Sequence, residues 1–159
     1  MNASTRPLLN NIFHHLLIFA GVSLILHYPW EILQARFFAN MLNLDFWEHA
    51  RICFVGALGD VLIAAFAYVG AAVVAKNAHW PAARKKKAPF FVWIAIGQFI
   101  TVAFEKYALA TGRWVYGPNM PLLMGIGVSP ILQWILIPTF SFVIFRFKFT
   151  NEIEKNRLL

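Results

Sequence analysis

Four apolar runs decide what this chain can fold into. They cover residues 12–33, 52–75, 90–110 and 122–145. A helix crosses the hydrocarbon of a bilayer in about 20 residues, and each run meets that length. With no water in the hydrocarbon, a spanning backbone must satisfy its own polar groups, as a helix or in a closed barrel. The runs hold too many consecutive apolar residues for barrel strands, which alternate between lipid and lumen. The sequence therefore predicts an all-α polytopic membrane protein, a four-helix transmembrane bundle in a single domain over residues 1–159. The composition agrees: 60% hydrophobic and only 13% charged, where soluble chains carry roughly 25% charged residues. The first run is long and lacks a small-residue cleavage site, so it reads as a mature span rather than a signal peptide.

The net charge is +7. In a soluble chain that would suggest nucleic acid. Here the basic residues flank the apolar runs, so the charge carries topology and excludes a nucleic-acid partner. Lys76, Arg84, Lys85, Lys86 and Lys87 lie between the second and third runs, and Arg146, Lys148, Lys155 and Arg157 follow the fourth. Arg36, Arg51 and Arg113 lie near the other two loops. The positive-inside rule then puts both termini and the Lys-rich loop in the cytoplasm, as in a multi-pass protein of a bacterial inner membrane. Loop 34–51, with Phe37, Phe38, Leu42, Leu44, Phe46 and Trp47, is expected to lie along the interface as an amphipathic piece. Residues 112–118 read as a tight turn with interfacial aromatics, His14 and His15 as interfacial, and the tail from Thr150 as polar and frayed. The single cysteine, Cys53, permits no internal disulfide and reads as packing.

Polar residues inside the spans carry the functional signal. An ionisable group at mid-membrane costs about 2.5–3.5 kcal/mol on insertion scales and usually faces the protein interior. His27, Glu31 and Gln34 fall at i, i+4, i+7 on one helix face, and so do Gln98, Thr101 and Glu105 at i, i+3, i+7. Asp60 sits in the second span, and Ser129 and Gln133 are one turn apart in the fourth. Packing these stripes together buries them. His27, Glu31, Asp60, Glu105 and Gln133 should meet at one level, in the outward half of the bundle. The plainer reading is polar glue between helices, which suits Gln98 and Gln133, while Glu105 has Lys106 and Arg113 as neighbours. Pro29, Pro130 and Pro138 are expected to kink their helices and open a cavity.

Three carboxylates crowded into a low-dielectric pocket repel one another, which favours a retained proton. A neutral carboxyl beside His27 makes an acid/base pair. Aromatic residues crowd the same level: Tyr28, Trp30, Tyr107, Trp114, Tyr116 and Trp134. Aromatic faces stabilise cations. Together these suit protonation of a carbon–carbon double bond in a lipid and guidance of the resulting carbocation. The candidate catalytic set is His27, Glu31, Asp60 and Glu105. The candidate substrate-binding set is Trp30, Gln98, Thr101, Tyr107, Trp114, Tyr116, Gln133 and Trp134. No phosphate loop, serine elbow or Cys/His metal set is present in the sequence. His27, Glu31 and Asp60 supply too few histidines for a metal, so neither metal nor cofactor is expected.

The order of these features resembles the emopamil-binding protein family of sterol isomerases, the EXPERA-like proteins, and their sigma-2 receptor relatives. The matching elements are His27-Tyr28-Pro29-Trp30-Glu31, Asp60 after Cys53, Gly97-Gln98, and Gln133-Trp134 with Pro138, so the resemblance runs from His27 to Pro138. This chain has Asp60 where that family has Glu, and Gln133 where it has Asn. The resemblance implies that His27, Glu31 and Asp60 handle a proton and that Gln133 and Trp134 bound the pocket. A second resemblance, to the lycopene cyclase domain, rests on Glu105, Gly112-Arg113-Trp114-Val115-Tyr116 and Met120-Pro121. That domain's Pro-x-Glu-Glu motif is replaced here by Pro130-Ile131-Leu132-Gln133. The Ser-Pro-x-x-Gln-Trp segment also resembles uncharacterised small bacterial membrane proteins. Both named families run carbocation chemistry on isoprenoids. The leading expectation is thus a cofactor-independent isomerase or cyclase acting on an isoprenoid or sterol-like lipid. Two others stay open: a binding protein or small transporter for a hydrophobic molecule, using the same pocket, and an accessory subunit of a larger membrane complex. The expected partners are a hydrophobic lipid-like ligand and membrane lipids, with a homodimer as a possible assembly.

Overall fold

The computed structural model describes the backbone of residues 5–77, 80–82 and 87–157, and the side chains of residues 16–77, 80–81 and 87–147. Four helices dominate: α1 (Thr5–Gln34), α2 (Phe46–Ala75), α3 (Ala88–Ala110) and α4 (Val128–Arg157). All four are long and apolar enough to cross a membrane. The protein is a multi-pass membrane bundle. α1 packs on α2 and α4, and α3 packs on the same two, so the helices close a ring. Large apolar side chains such as Leu62, Val73, Phe99 and Phe147 face outward, as a hydrocarbon solvent requires. One end of the bundle, the termini end, carries the start of α1, the end of α4 and the segment around Trp80. The other, the site end, carries the connections from Ala35 to Asp45 and from Thr111 to Gly127.

Element boundaries differ from the sequence reading where local chemistry intervenes. α2 begins at Phe46 rather than Ile52, because the Asp45 carboxylate accepts from the N–H groups of Trp47 and Glu48 at 2.8 and 3.0 Å and caps the helix. Only the first part of loop 34–51 is therefore a connection, folded into two short 3₁₀ turns over Ala35–Phe37 and Ala39–Met41. α4 begins at Val128 rather than at residue 122. The preceding residues form a hairpin, β1 (Leu122–Leu123) against β2 (Ile126–Gly127), antiparallel. Its loop residues, Met124 and Gly125, both have positive φ, at 52° and 79°, as the twist of a two-residue hairpin demands. Pro130 consequently falls in the first turn of α4 and interrupts no ladder bond, so the expected kink there does not arise; Pro29 and Pro138 do lie inside helices. The expected fraying from Thr150 is also corrected, since α4 continues as helix to Arg157. The side chains of His14, His15, Lys148, Lys155 and Arg157, and all of Arg84, Lys85 and Lys86, lie outside the described residues.

Two clusters form the interior. Toward the termini end, Phe19, Tyr68, Trp80, Trp93 and Phe145 pack as one aromatic core against the small residues Ala64, Ala67, Ala71 and Ala75 of α2. The alanines let neighbouring helices approach closely, which is how packing is won where lipid is as apolar as leucine. Trp80, in the basic connection between α2 and α3, turns inward instead of lying at an interface; its ring stacks on Phe142 at 5.8 Å and 17°. At the site end, Ala35, Met41 and Cys53 form a smaller cluster with Tyr28, Phe38 and Leu44. There the two connections are stitched together: Ala39 N–H donates to Val115 O at 2.8 Å, and Gly117 N–H donates to Phe37 O at 2.7 Å. A β-carbon on Gly117 would meet that carbonyl at 3.2 Å, a tight contact that favours glycine at this crossing.

Candidate functional site

α1, α2 and α4 bring His27, Glu31, Asp60 and Gln133 together. The amide of Gln133 is the hub. Its Nε2 lies 2.9 Å from His27 Nδ1, 3.1 Å from Glu31 Oε1 and 2.7 Å from Asp60 Oδ2. His27 Nδ1 is itself 3.2 Å from Asp60 Oδ2. The polar stripe of α1 thus finds the polar stripe of α4, with Asp60 of α2 closing the triangle. Burial without partners would be costly here, and every member has one.

The orientation of that hub is set from one layer away. Gln34 Oε1 accepts from Ser129 Oγ at 3.0 Å and from Trp30 Nε1 at 3.3 Å. With its oxygen taken by two donors, the Gln34 amide must turn its Nε2 inward. There it donates to Glu31 Oε1 at 2.5 Å and to Gln133 Oε1 at 3.2 Å. Gln133 then has only its Nε2 to offer to the acid–histidine cluster. Gln34 and Ser129 belong to the site although their role is not readable from spacing alone. The signal available in the sequence is that both sit on the same polar stripes as His27 and Gln133.

A cavity of about 550 Å³ opens beside this cluster, the size of a small-molecule pocket. Glu31, Asp60, Gln133 and Gln34 form part of its wall, with Thr101 and Glu105 of α3 also on it. Much of the remainder is apolar, including Ala35, Phe38, Met41, Ile52, Ile63 and Phe104. Cys53 is buried as expected, but it also lines the cavity. Gly56 and Gly59 thin the α2 wall. A β-carbon at Gly56 would lie 2.9 Å from Glu31 Oε2, whereas one at Gly59 would meet nothing within 4 Å. These two glycines carry no polar signature, so sequence reasoning did not single them out.

The remaining expected site residues divide by position. Glu105 lines the same cavity but stands apart from the hub, accepting a hydrogen bond at Oε2 from the Tyr116 hydroxyl rather than pairing with Lys106 or Arg113. Tyr116 in turn accepts from Gly127 N–H at 2.9 Å. Burial, and then the bond to Glu105, push its hydroxyl above the usual tyrosine range. Thr101 and Trp114 are on the cavity wall. His27 is not on the wall; it reaches the cavity only through Asp60 and Gln133. Trp134 backs His27, ring centroids 5.4 Å apart, and is fully buried against Gly97. Trp30 serves Gln34 and is not on the wall. Gln98 donates to Ile131 O at 2.7 Å and joins α3 to α4, the glue role. Tyr107 lies on the exposed surface under the Arg113 guanidinium. Among the described residues no group of three or more His, Cys, Asp or Glu is arranged to hold a metal ion.

The arrangement can present carboxyl groups to a molecule inside an apolar chamber, with a histidine behind them to exchange protons. In comparisons with known proteins, no family model, no curated protein and no solved structure matches this chain.

Proposed function

We propose that this protein is a membrane-embedded isomerase or cyclase that moves protons onto and off a carbon–carbon double bond of an isoprenoid or sterol-like lipid. The observation that carries the reading is the placement of Glu31 and Asp60 on the wall of a largely apolar cavity, with His27 held 3.2 Å behind Asp60. A carboxyl O–H of Glu31 or Asp60 gives its proton to one alkene carbon, and the π pair becomes the new C–H bond. The adjacent carbon is left cationic. A proton leaves a neighbouring carbon to the other carboxylate or, through Asp60, to His27, and that C–H pair forms the shifted double bond. In a cyclase a second alkene attacks the cation before the proton leaves. No electrons are gained or lost, so the chain's own groups suffice. Aromatic faces on the wall, Phe38, Phe104 and Trp114, supply cation stabilisation. The resemblance to the emopamil-binding and lycopene cyclase families points the same way and belongs to this proposal. So does the orientation with both termini in the cytoplasm of a bacterial inner membrane, which a C-terminal alkaline phosphatase fusion tests by remaining inactive.

The test is deuterium wash-in. Purified protein in lipid nanodiscs is incubated in D₂O with a panel of isoprenoid and sterol olefins, and products are read by mass spectrometry. Wild type incorporates deuterium and shifts or closes a double bond, while Glu31→Gln and Asp60→Asn lose this and keep their unfolding temperature to within a few degrees. Full activity in both variants sinks the reading. A second reading, a binding protein or transporter for a hydrophobic amine, draws on the three carboxylates of the wall, Glu31, Asp60 and Glu105. It is favoured if a hydrophobic amine binds and no olefin exchanges.

A further inference from the structure

Two features of the cavity bear on what it holds. The first is where it opens. Val55 and Leu62 of α2 and Phe104 of α3 line the cavity, yet all three are exposed on the outer surface of the bundle. Val55 and Leu62 are seven residues apart, hence on one face and about 10 Å apart along the axis. The chamber therefore reaches the outer surface along the α2–α3 seam. In a membrane helix that surface meets acyl chains, not water. Gly59, beside Asp60 and with open space in front of it, keeps the passage clear.

The second feature is unspent hydrogen-bonding capacity. Thr101 Oγ1 is buried and has no hydrogen-bond partner among the described residues. Trp114 Nε1, buried too, has none at full hydrogen-bond geometry and is only loosely directed at the Glu105 carboxylate, and both residues line this cavity. Buried polar atoms rarely go unsatisfied. An indole N–H can only donate, and a threonine hydroxyl can donate or accept. A ligand oxygen, as an alcohol or a carbonyl, is the chemistry that answers such groups.

We infer that the ligand is a lipid alcohol or ketone: its oxygen is taken on the wall that carries Thr101 and Trp114, and its hydrocarbon chain leaves between α2 and α3 into the bilayer. This rests on the reading above and narrows its substrate class. A pocket of about 550 Å³ encloses a drug-sized molecule, and an open seam removes any upper limit on chain length. The reacting double bond is then one close to the oxygen-bearing end, where Glu31 and Asp60 can reach it.

Photo-crosslinking tests this with protein in phosphatidylcholine/phosphatidylglycerol vesicles. The probes are diazirine-bearing geranylgeraniol, a diazirine sterol and a diazirine fatty alcohol, plus a diazirine hydrocarbon lacking oxygen. The three alcohols separate isoprenoid, sterol and acyl sources. Insertion is mapped to residues by mass spectrometry. At least one alcohol should label buried Cys53, Thr101 or Gln133, which bulk lipid does not touch, and the hydrocarbon should not. Gly59→Phe, with Gly59→Leu as a milder plug, should abolish that labelling. Gly21→Phe, on an exposed face with equal open space, should leave it unchanged. Thr101→Val and Trp114→Phe should each weaken alcohol labelling. Labelling confined to surface residues such as Phe99, or unaffected by Gly59→Phe, overturns the seam. Equal labelling by hydrocarbon and alcohol, or indifference to both Thr101→Val and Trp114→Phe, overturns the oxygen site. Cavity labelling without deuterium exchange on any olefin defeats the isomerase reading and leaves this site standing; exchange without cavity labelling does the reverse.

Discussion

Gln133 has two N–H groups and three acceptors around it: His27 Nδ1, Glu31 Oε1 and Asp60 Oδ2. With a proton on His27 Nδ1, the imidazole donates to Asp60 and Gln133 keeps both N–H groups for the carboxylates. With that nitrogen bare, it competes with them for Gln133. The site thus couples a proton's position to one amide's two bonds, and the amide must not flip. Gln34→Glu removes the donor that pins it and adds a carboxylate. Deuterium exchange should fall to background in Gln34→Glu, whereas Ser129→Ala should cost about 1 kcal/mol of stability and slow exchange without abolishing it. Equal activity in Gln34→Glu and wild type would refute the pinning. Tyr116 makes a second residue-scale case. Its folded pKa is raised, so the stability it adds is fully present below the ordinary tyrosine value of about 10 and is lost as pH rises through the higher folded value. Tyr116→Phe should unfold more easily by about 1 kcal/mol at neutral pH. The gap to wild type should close only in strongly alkaline buffer, as read by thermal unfolding against pH.

At the scale of elements, the helix ends explain most of the boundaries. α3 ends in a Schellman motif, with Arg113 N–H donating to Ala108 O at 2.9 Å and Gly112 N–H to Leu109 O at 3.3 Å. Gly112 takes φ +67° there, a conformation glycine adopts without penalty. α2 ends the same way, Asn77 N–H donating to Ala72 O at 3.1 Å, but the left-handed residue is Lys76 at φ 51°. A β-carbon in that region costs about 1–2 kcal/mol. Lys76→Gly should therefore stabilise the protein by up to about 1 kcal/mol, after glycine's own chain entropy is subtracted, as measured by unfolding in mixed micelles. α3 meets α4 at Gly97, where any β-carbon would lie 2.1 Å from the Trp134 ring. That close approach holds the indole against His27, and through it α3 braces a site to whose hub it gives no side chain.

For the molecule as a whole, the aromatic core and the cavity are offset toward opposite ends, and Trp134, a member of that core, joins the two by backing His27. The aromatic core around Trp93 and Trp80 closes the termini end, while the cavity and its polar wall occupy the site end. Trp80→Ala should lower stability by about 3–5 kcal/mol, seen as a fall in the unfolding midpoint, while deuterium exchange at a temperature well below that midpoint stays at the wild-type level. Loss of exchange in step with stability would show that the two ends are not independent. The offset follows from packing. A ring of four helices held by small residues and aromatics at one end can leave a chamber at the other without losing its closure.

The sequence by itself determined the four spans, because hydrocarbon solvent leaves a backbone no other choice at that length and apolarity. It also determined that His27, Glu31 and Gln34 share a face, because 3.6-residue periodicity puts them there, and it nominated Asp60 and Gln133 because ionisable and amide groups rarely lie in lipid without protein partners. Only the tertiary structure decided which stripes would touch. Glu105 was expected at the hub and instead pairs with Tyr116, since a neighbouring connection offered a hydroxyl first. Gly56, Gly59 and Cys53 became cavity wall, and Trp80 became core, through contacts between segments distant in the chain. Periodicity fixes direction around one helix; depth, partner and empty space depend on the other three.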